Sequence, residues 1–442
     1  MYNNKKILIL GMARSGYEVA KLLSKHHNDI TITDMKKQDP DQVAELISLG
    51  VKYVITNVPD DLLNDTFDVL VKNPGIIKSH PCVVKARELN MKIINELEVA
   101  YAFLPKVKIV GITGSNGKTT TTTLIYEILK KGGIPVHLGG NIGFPLSSLV
   151  NNVKVGDTLV LEISDHQLID MYDFKTDISV LTNLYQNHLD FHGSYDAYKA
   201  TKKKIFNNHT EKDIAIINKG SDESLELTKD IISSKKYFSA KVKCECCIDG
   251  DYIEYNDKKI INISDIKLQG MHNYENIMCA IMVAKEFNIS NEIINSILTT
   301  FGGVEHRIEF VRTYKERDFY NDSKSTNVDS TIIAVDSFKR PTILIMGGLD
   351  RGHLFDDLKG HMQNVKLVIC YGETKNRIKS WCDENGIDCI VKNTLIESTM
   401  DAWHISKEKD IILLSPACAS WDQYKCFEDR GDEFKTVVNK IK

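Results

Sequence analysis

Val107-Lys108-Ile109-Val110-Gly111-Ile112-Thr113-Gly114-Ser115-Asn116-Gly117-Lys118-Thr119-Thr120 decides how this chain is read. A hydrophobic run of strand length enters a glycine-rich turn. A helical pattern leaves it and runs to about Lys131, where Gly132-Gly133 stops it. In such a setting glycines let backbone N–H groups turn inward on phosphate oxygens, and the helix start adds a favourable dipole. Lys118 has the reach to span a β- and a γ-phosphate, and the Thr119 hydroxyl suits magnesium. The general phosphate-loop pattern asks for another glycine where Ile112 stands, so Gly-Lys-Thr alone is a signal of moderate strength.

Outward from this loop, strand-like runs alternate with helical patterns, which argues for an α/β chain with largely parallel sheets. Upstream lie a strand at Lys6–Leu10, a glycine turn, a helix to about His26, and a strand at Ile30–Thr33 ending at Asp34. Pro105 interrupts a helical pattern around Glu96–Phe103, and a new strand starts at Val107, which places the first boundary. Downstream strands are predicted at Thr158–Ile163, Ile178–Leu181 and Ile214–Ile217, with short antiparallel strands over Lys236–Leu268. A helix from about Asn273 to Phe287 and a shorter one lead to Gly302-Gly303, the second boundary. The last segment predicts strands near Ile343–Met346, Leu367–Tyr371 and Ile411–Leu414. The expectation is three domains, 1–105, 106–303 and 304–442, the outer two Rossmann-like and the central one built on the phosphate loop.

The 442 residues are 42% hydrophobic and 26% charged, with a formal net charge of -4 and a pI near 6.4. That balance disfavours a polyanion-binding surface, so nucleic acid is not an expected partner. Apolar runs such as Ile411–Leu414 are too short to cross a bilayer, and the start shows no signal-peptide core, so the expected location is cytoplasmic. Ten cysteines occur without zinc-ribbon spacing and read as free thiols.

Three further places carry chemistry. Glu162 ends a strand, on the edge where α/β proteins place ligands. His188 follows a buried-looking strand in Asn183-Leu184-Tyr185-Gln186-Asn187-His188-Leu189-Asp190. Lys202, Lys203 and Lys204 are consecutive, and composition does not choose among them.

Thr-Gly-Ser-Asn-Gly-Lys-Thr-Thr closely resembles the ATP loop of the Mur ligases and the related folylpolyglutamate synthetases, and other family motifs follow in order along the whole chain. These enzymes activate a carboxylate as an acyl phosphate, which an amine then displaces. The resemblance implies that Gly114, Ser115, Asn116, Gly117, Lys118, Thr119 and Thr120 bind ATP. It implies magnesium ligands in Thr119, Glu162, His188 and a Lys202 carbamylated by carbon dioxide. The family's Ser-Ser-Phe-Gln-Leu is here Ser164-Asp165-His166-Gln167-Leu168, which leaves Asp165 and His166 without an inherited role. Asp190 likewise keeps an open role.

By the same resemblance Asn273 and Asn276, in His272-Asn273-Tyr274-Glu275-Asn276, lie on the adenine side, although Asn273 also suits a helix cap. Arg307 contacts ATP phosphates, and Asp322 in Asp322-Ser323-Lys324-Ser325-Thr326-Asn327 faces the nucleotide. Asn141, in Gly139-Gly140-Asn141-Ile142-Gly143, reaches the muramyl substrate. Gly11-Met12-Ala13-Arg14-Ser15-Gly16 looks dinucleotide-binding, but Ala13 replaces the glycine that admits a pyrophosphate. It resembles instead the uridine-diphosphate loop of the family's D-glutamate-adding branch, which implies precursor contacts from Arg14, Ser15, Asp34, Asn73 and Gly75. Ser415-Pro416-Ala417-Cys418-Ala419-Ser420-Trp421-Asp422-Gln423-Tyr424 also resembles that branch. There Lys324, Thr326, Ser420, Trp421 and Phe427 surround the amino acid. The implied substrates are UDP-N-acetylmuramoyl-L-alanine, D-glutamate and ATP, on a monomer. The alternatives are an L-alanine-adding relative and a phosphate-loop ATPase switch; only a ligase needs both cosubstrates before it releases phosphate.

Overall fold

The computed structural model describes residues 2–186, 188–268, 270–350, 352 and 354–442, with every side chain among them except those of Leu189, Asp190 and Asp329. It comprises two compact units, Met1–Phe301 and Gly302–Lys442. The chain is α/β throughout, with three sheets that are mostly parallel.

The first sheet contains β1 (Lys6–Leu10), β2 (Asp29–Asp34), β3 (Lys52–Ile55), β4 (Val69–Lys72) and β5 (Lys92–Ile94), in the order β3-β2-β1-β4-β5. All pairings are parallel. The order reverses direction between β1 and β4, so a crevice opens beyond their carboxyl ends. A Cβ on Gly16 would lie 2.0 Å from the Gly11 carbonyl oxygen. The helix Arg14–Ser24 therefore packs this close to β1 only because glycine stands there.

The second sheet belongs to the same unit. It adds β6 (Lys108–Thr113), β7 (Val136–Gly140), β8 (Thr158–Glu162), β9 (Ile178–Leu181), β10 (Ile214–Asn218), β11 (Ser234–Ser239), β12 (Cys246–Asp249), β13 (Tyr252–Tyr255) and β14 (Lys258–Asn262), in the order β14-β13-β12-β11-β10-β9-β6-β8-β7. Only β12, β13 and β14 pair antiparallel; β11 and β12 extend the parallel run. This corrects the wholly antiparallel reading of Lys236–Leu268, because alternation reports which face is buried and is blind to strand direction. Under β6, Leu124, Ile125 and Ile128 of the helix Lys118–Lys131 share a core with Ile277, Met278 and Ile281 of the helix Met271–Glu286. Each such side chain contributes about 1.5–3 kcal/mol on burial, which holds both helices under the loop between β6 and its helix.

The two sheets of this unit share one apolar cluster that runs from Ile7 and Ile9 to Leu161 and Ile217. Polar ties cross the same seam. Lys72 Nζ lies 2.9 Å from Asp170 Oδ2 with both side chains buried, and donates to the Ile76 carbonyl at 3.0 Å. Glu98 accepts the backbone N–H groups of Tyr172, Asp173 and Phe174 at 3.1, 2.8 and 3.1 Å.

The second unit holds β15 (Glu309–Tyr314), β16 (Arg317–Asn321), β17 (Thr342–Gly347), β18 (Val365–Tyr371), β19 (Cys389–Val391) and β20 (Ile411–Leu414), in the order β15-β16-β20-β17-β18-β19. All pairs are parallel except β15 with β16. The reversal point lies between β17 and β20. The loops that follow these strands meet there, with the Leu349 N–H on the Ala419 carbonyl at 2.9 Å. Among the described residues no helix is long and apolar enough to cross a membrane, and all ten cysteines are free thiols.

Candidate active site

The turn after β6 is shaped by its glycines. Gly114 has φ +142° and Gly117 has φ +78°; a Cβ would sit 2.0 Å from Thr182 Oγ1 at the first and 2.1 Å from Asn276 Oδ1 at the second. The loop is fixed from the next strand, because the Ser115 N–H donates to the Asn183 carbonyl (3.0 Å) and the Asn116 N–H to Asn183 Oδ1 (2.8 Å). Ser115 Oγ also lies 2.8 Å from the Tyr198 hydroxyl. Lys118 Nζ bends back over the loop and donates to the carbonyls of Gly114 (2.9 Å) and Ser115 (2.8 Å). Thr120 stands half-buried in the first helical turn. The glycine cradle and the N-terminus of a 14-residue helix fit a phosphate chain.

Beside the loop, the buried Thr119 hydroxyl donates to Oε2 of the buried Glu162 (2.7 Å), and Nδ2 of the exposed Asn141 donates to Glu162 Oε1 (2.7 Å). This oxygen-rich pair suits a hard divalent cation such as magnesium. Asn276 is buried and accepts from the Thr121 hydroxyl (3.3 Å), while its own amide reaches Asn273 Oδ1 (3.4 Å). Asn273 is not the helix cap that its position suggests. The helix begins at Met271, its cap is Gly270 at φ +107°, and no side chain caps it.

Next to these groups lies a second centre. Asp165 is buried, and its Oδ2 lies 2.9 Å from His188 Nδ1, 2.8 Å from His192 Nε2 and 3.4 Å from His166 Nδ1. Burial by itself raises its pKa, but the His188 and His192 contacts and the Lys202 charge outweigh that and hold it far below the usual carboxylate range. His188 takes a left-handed backbone, φ +52°, a conformation that costs a non-glycine residue on the order of 1 kcal/mol or more. The Asp190 side chain lies outside the described residues.

Lys202 separates cleanly from its neighbours. Its side chain is 0% exposed, and Nζ reaches Asp165 Oδ1 at 3.2 Å and Thr113 Oγ1 at 3.3 Å. Lys203 instead reaches Asp230 at the surface, and Lys204 donates to the Ile169 carbonyl. Burial first, and then the charge of Lys118, push the Lys202 ammonium down to about 7. A buried amine that is half neutral near physiological pH fits the chemistry of carbamylation.

The residues that the resemblance assigns to the precursor come together as well. Asp34 Oδ2 accepts the Met12 N–H (2.9 Å). Asn73 donates to Ser15 Oγ (3.4 Å) and accepts the Gly75 N–H (3.1 Å), while Arg14 donates to the Gly143 carbonyl. One cavity of about 550 Å³ is lined by Arg14, Ser15, Asn73 and Gly75 from the first sheet and by Asn141, Lys118 and His188 from the second.

In the unit Gly302–Lys442, Lys324 Nζ stands 5.8 Å from the ring centroid of Phe427, and the Thr326 N–H donates to the Lys324 carbonyl (2.9 Å). Ser420 is buried, whereas Trp421 is 63% exposed. Arg307 lies on the surface of its turn. Asp322 is 1% exposed, accepts from Ser415 Oγ (2.7 Å), Ser325 Oγ and the Ile308 N–H (3.1 Å), and burial raises it to about 6. Within this unit the carboxylate knots loops together and does not open outward.

Three residues of consequence went unread in the sequence. Arg430 is 0% exposed and donates to Ser323 Oγ (2.9 Å), the Ser323 carbonyl (2.7 Å) and the Cys418 carbonyl (3.0 Å), tying the lysine-bearing loop to the loop after β20. Its signal was a charge at the spacing of Phe434 and Val438, on the inward stripe of the helix Phe427–Lys440. Lys72 carries the Asn73–Ile76 turn from beneath, and nothing local distinguishes it from an edge lysine. Glu96 lines the cavity, and burial raises it to about 7.

A glycine-cradled phosphate loop, an oxygen pair for a hard cation and a buried, deprotonatable lysine define a phosphate-loop α/β protein equipped for nucleotide chemistry. The chain belongs to the Mur ligase family. Family models match in order: the MurD-like N-terminal domain over residues 5–95, the Mur ligase middle domain over 112–284, and the Mur ligase glutamate ligase domain over 306–418. The UDP-N-acetylmuramoylalanine--D-glutamate ligase of Geobacillus sp. (strain WCH70) is 42% identical over 446 residues, covering 100% of this chain and 99% of that protein. The same-named ligase of Enterococcus hirae is 43% identical, covering 99% and 96%. Among solved structures, UDP-N-acetylmuramate-alanine ligase MurC from Thermotoga maritima shares the fold, with a TM-score of 0.59 at 18% identity over 99% of this chain and 100% of that one.

Proposed function

We propose that this protein ligates D-glutamate to UDP-N-acetylmuramoyl-L-alanine at the expense of ATP, in peptidoglycan precursor synthesis. The observation that carries the reading is the single cavity that joins the loops of the first sheet to Lys118 and His188. A nucleotide-linked carboxylate held by Arg14, Ser15, Asn73 and Gly75 would present its far end to the phosphate loop. Full-length relatives named for this reaction support the same assignment.

In this reading the central segment 106–303 binds ATP, 1–105 binds the precursor and 304–442 binds the amino acid. Lys118 moves from its loop carbonyls to the phosphates, and Arg307 adds a guanidinium contact. Thr119, Glu162, His188 and a carbamylated Lys202 would hold magnesium, whose chemistry is to screen the repulsion between the γ-phosphate and the attacking carboxylate. The L-alanyl carboxylate takes the γ-phosphoryl group and ADP leaves. The D-glutamate amine then attacks the acyl carbon, loses a proton, and phosphate departs as the amide forms. Lys324, Thr326 and Ser420 would pair with the two D-glutamate carboxylates, with Trp421 and Phe427 beside them. Ten free thiols and nucleotide substrates fit a reducing, cytoplasmic setting.

The test is phosphate release with the alanyl precursor and ATP, adding D-glutamate, L-glutamate and L-alanine separately. Release should require the precursor and D-glutamate together. Comparable release with L-alanine, or without any amino acid, would overturn the reading.

A further inference from the structure

The short helix Asp165–Leu168 brings Asp165 and His166 to a common destination. One ligand atom each from Asp165, His166 and His188 lies within 4.8 Å of the others. A divalent ion bound at about 2.0–2.2 Å by such atoms sets neighbouring donors roughly 3.0 Å apart in an octahedron and roughly 3.4 Å apart in a tetrahedron. The carboxylate oxygen lies 2.9 Å from the His188 nitrogen and 3.4 Å from the His166 nitrogen, both short enough for one ion to bridge. His192 contacts the same oxygen from a fully buried position at 2.8 Å and holds the carboxylate in place, as a supporting partner does in a metal site. All three donors line the cavity shared with Lys118, so the open side of the cluster faces substrate space.

We infer that Asp165, His166 and His188 form a two-imidazole, one-carboxylate centre for a transition-metal dication of the Zn2+ and Co2+ class. The inference rests on the ligase reading insofar as His188 serves the reaction. The ligand chemistry separates it from the neighbouring Glu162–Thr119 oxygen pair. Imidazole nitrogens favour first-row transition metals, whereas carboxylate and hydroxyl oxygens favour magnesium. Each imidazole would bind through Nδ1 with its one proton on Nε2, so a ring that donates from Nδ1 in the free protein moves that proton to Nε2 on binding. His188 is common to this centre and to the magnesium site, so the two ions compete for it.

The experiment uses the full, untagged chain stripped with EDTA and titrated with Co2+, without substrates, while the visible ligand-field absorption is recorded. The expected result is a saturable site with a nitrogen-donor spectrum that Zn2+ displaces. Asp165→Ser/His166→Phe should weaken Co2+ binding by at least the 10–100-fold that accompanies loss of a ligand's partner. His166→Phe alone should do the same while leaving the buried Asp165 contacts with His188, His192 and Lys202 in place. The second cluster, Glu305, His306 and Asp432, lies in the other unit and is common to all the proteins, so the difference spectrum reports this centre. An aqua-ion spectrum from saturated wild-type protein, or superimposable titrations of wild type and His166→Phe, would overturn the inference. D-glutamate-dependent phosphate release under Mg2+, measured on the same wild-type preparation, tells the two readings apart: its persistence beside a negative Co2+ result removes the metal centre alone.

Discussion

Protonation of Lys202 gives the sharpest quantitative handle on the site. The ordinary lysine value is 10.5, and burial with the Lys118 charge brings Lys202 to about 7. At about pH 7.5 most of its amine is neutral, against roughly one part in a thousand for an ordinary lysine, so its reactivity toward carbon dioxide is raised on the order of a thousandfold. The same displacement corresponds to about 5 kcal/mol of ammonium burial. Between about 7 and 10.5 the unfolded chain holds a proton that the folded chain has released, so stability rises with pH across that window; below about 7 both states are protonated and the full cost of burial remains. The assay is 13C NMR of protein equilibrated with 13C-bicarbonate from about pH 6 to about pH 9. A protein-bound carbamate signal should grow with a midpoint near 7 and vanish in Lys202→Ala. A midpoint near that of a surface lysine, or a signal that survives in Lys202→Ala, would refute both the burial argument and the carbamate assignment.

Four other perturbations follow from named contacts. Lys118→Ala removes the loop's phosphate-facing cation, and charge-assisted hydrogen bonds of about 1.5–3 kcal/mol each predict a loss of at least about 100-fold in kcat/KM for ATP; phosphate release within about threefold of wild type would contradict it. Gly117→Ala forces a side chain into a φ of +78° and against Asn276, so calorimetry should show ATP binding weakened at least about tenfold, and an unchanged affinity would exclude the cradle. Lys72→Met leaves Asp170 buried without its ion-pair partner and should cost about 3–5 kcal/mol in urea unfolding; a change under about 1 kcal/mol would mean that water already reaches the pair. Lys324→Ala should raise the D-glutamate KM by about tenfold or more while moving the ATP KM little, and equal shifts would take Lys324 out of the amino-acid pocket.

Much of the fold was legible because each sheet is made of short apolar runs punctuated by glycine. The strands Lys6–Leu10, Ile178–Leu181 and Ile411–Leu414 and the end of the helix at Lys131 fall where the patterning puts them. The antiparallel strands expected over Lys236–Leu268 are found for β12, β13 and β14, but the parallel pairing of β11 with β12 was not legible, since half-burial looks the same in parallel and antiparallel neighbours. Motif spelling located the phosphate loop, Glu162 and His188, but not the company they keep. Asp165 meets His188, His192 and Lys202 across 23 to 37 residues of chain, a separation no local pattern reports. Lys202 is set apart from Lys203 and Lys204 by helix geometry: Tyr198, Thr201 and Lys202 share the buried face of Tyr195–Lys203. Asp322 and Arg430 could not be read as internal ties, because their partners arrive from loops some 90 to 110 residues away.

The seam under Lys72 has a consequence for how such chains can diverge. The turn at Asn73–Ile76 rests on a lysine whose counter-charge, Asp170, comes from the next sheet, and Glu98 in turn closes the amides of residues 172–174. A recombination that exchanged only the first hundred or so residues with a distant homologue would import a nucleotide crevice while orphaning its supports. Substitutions on the two sides of this border are therefore expected to be inherited in matched sets, with the first two sheets drifting as a single heritable block and the crevice retuned only by changes that respect that pairing.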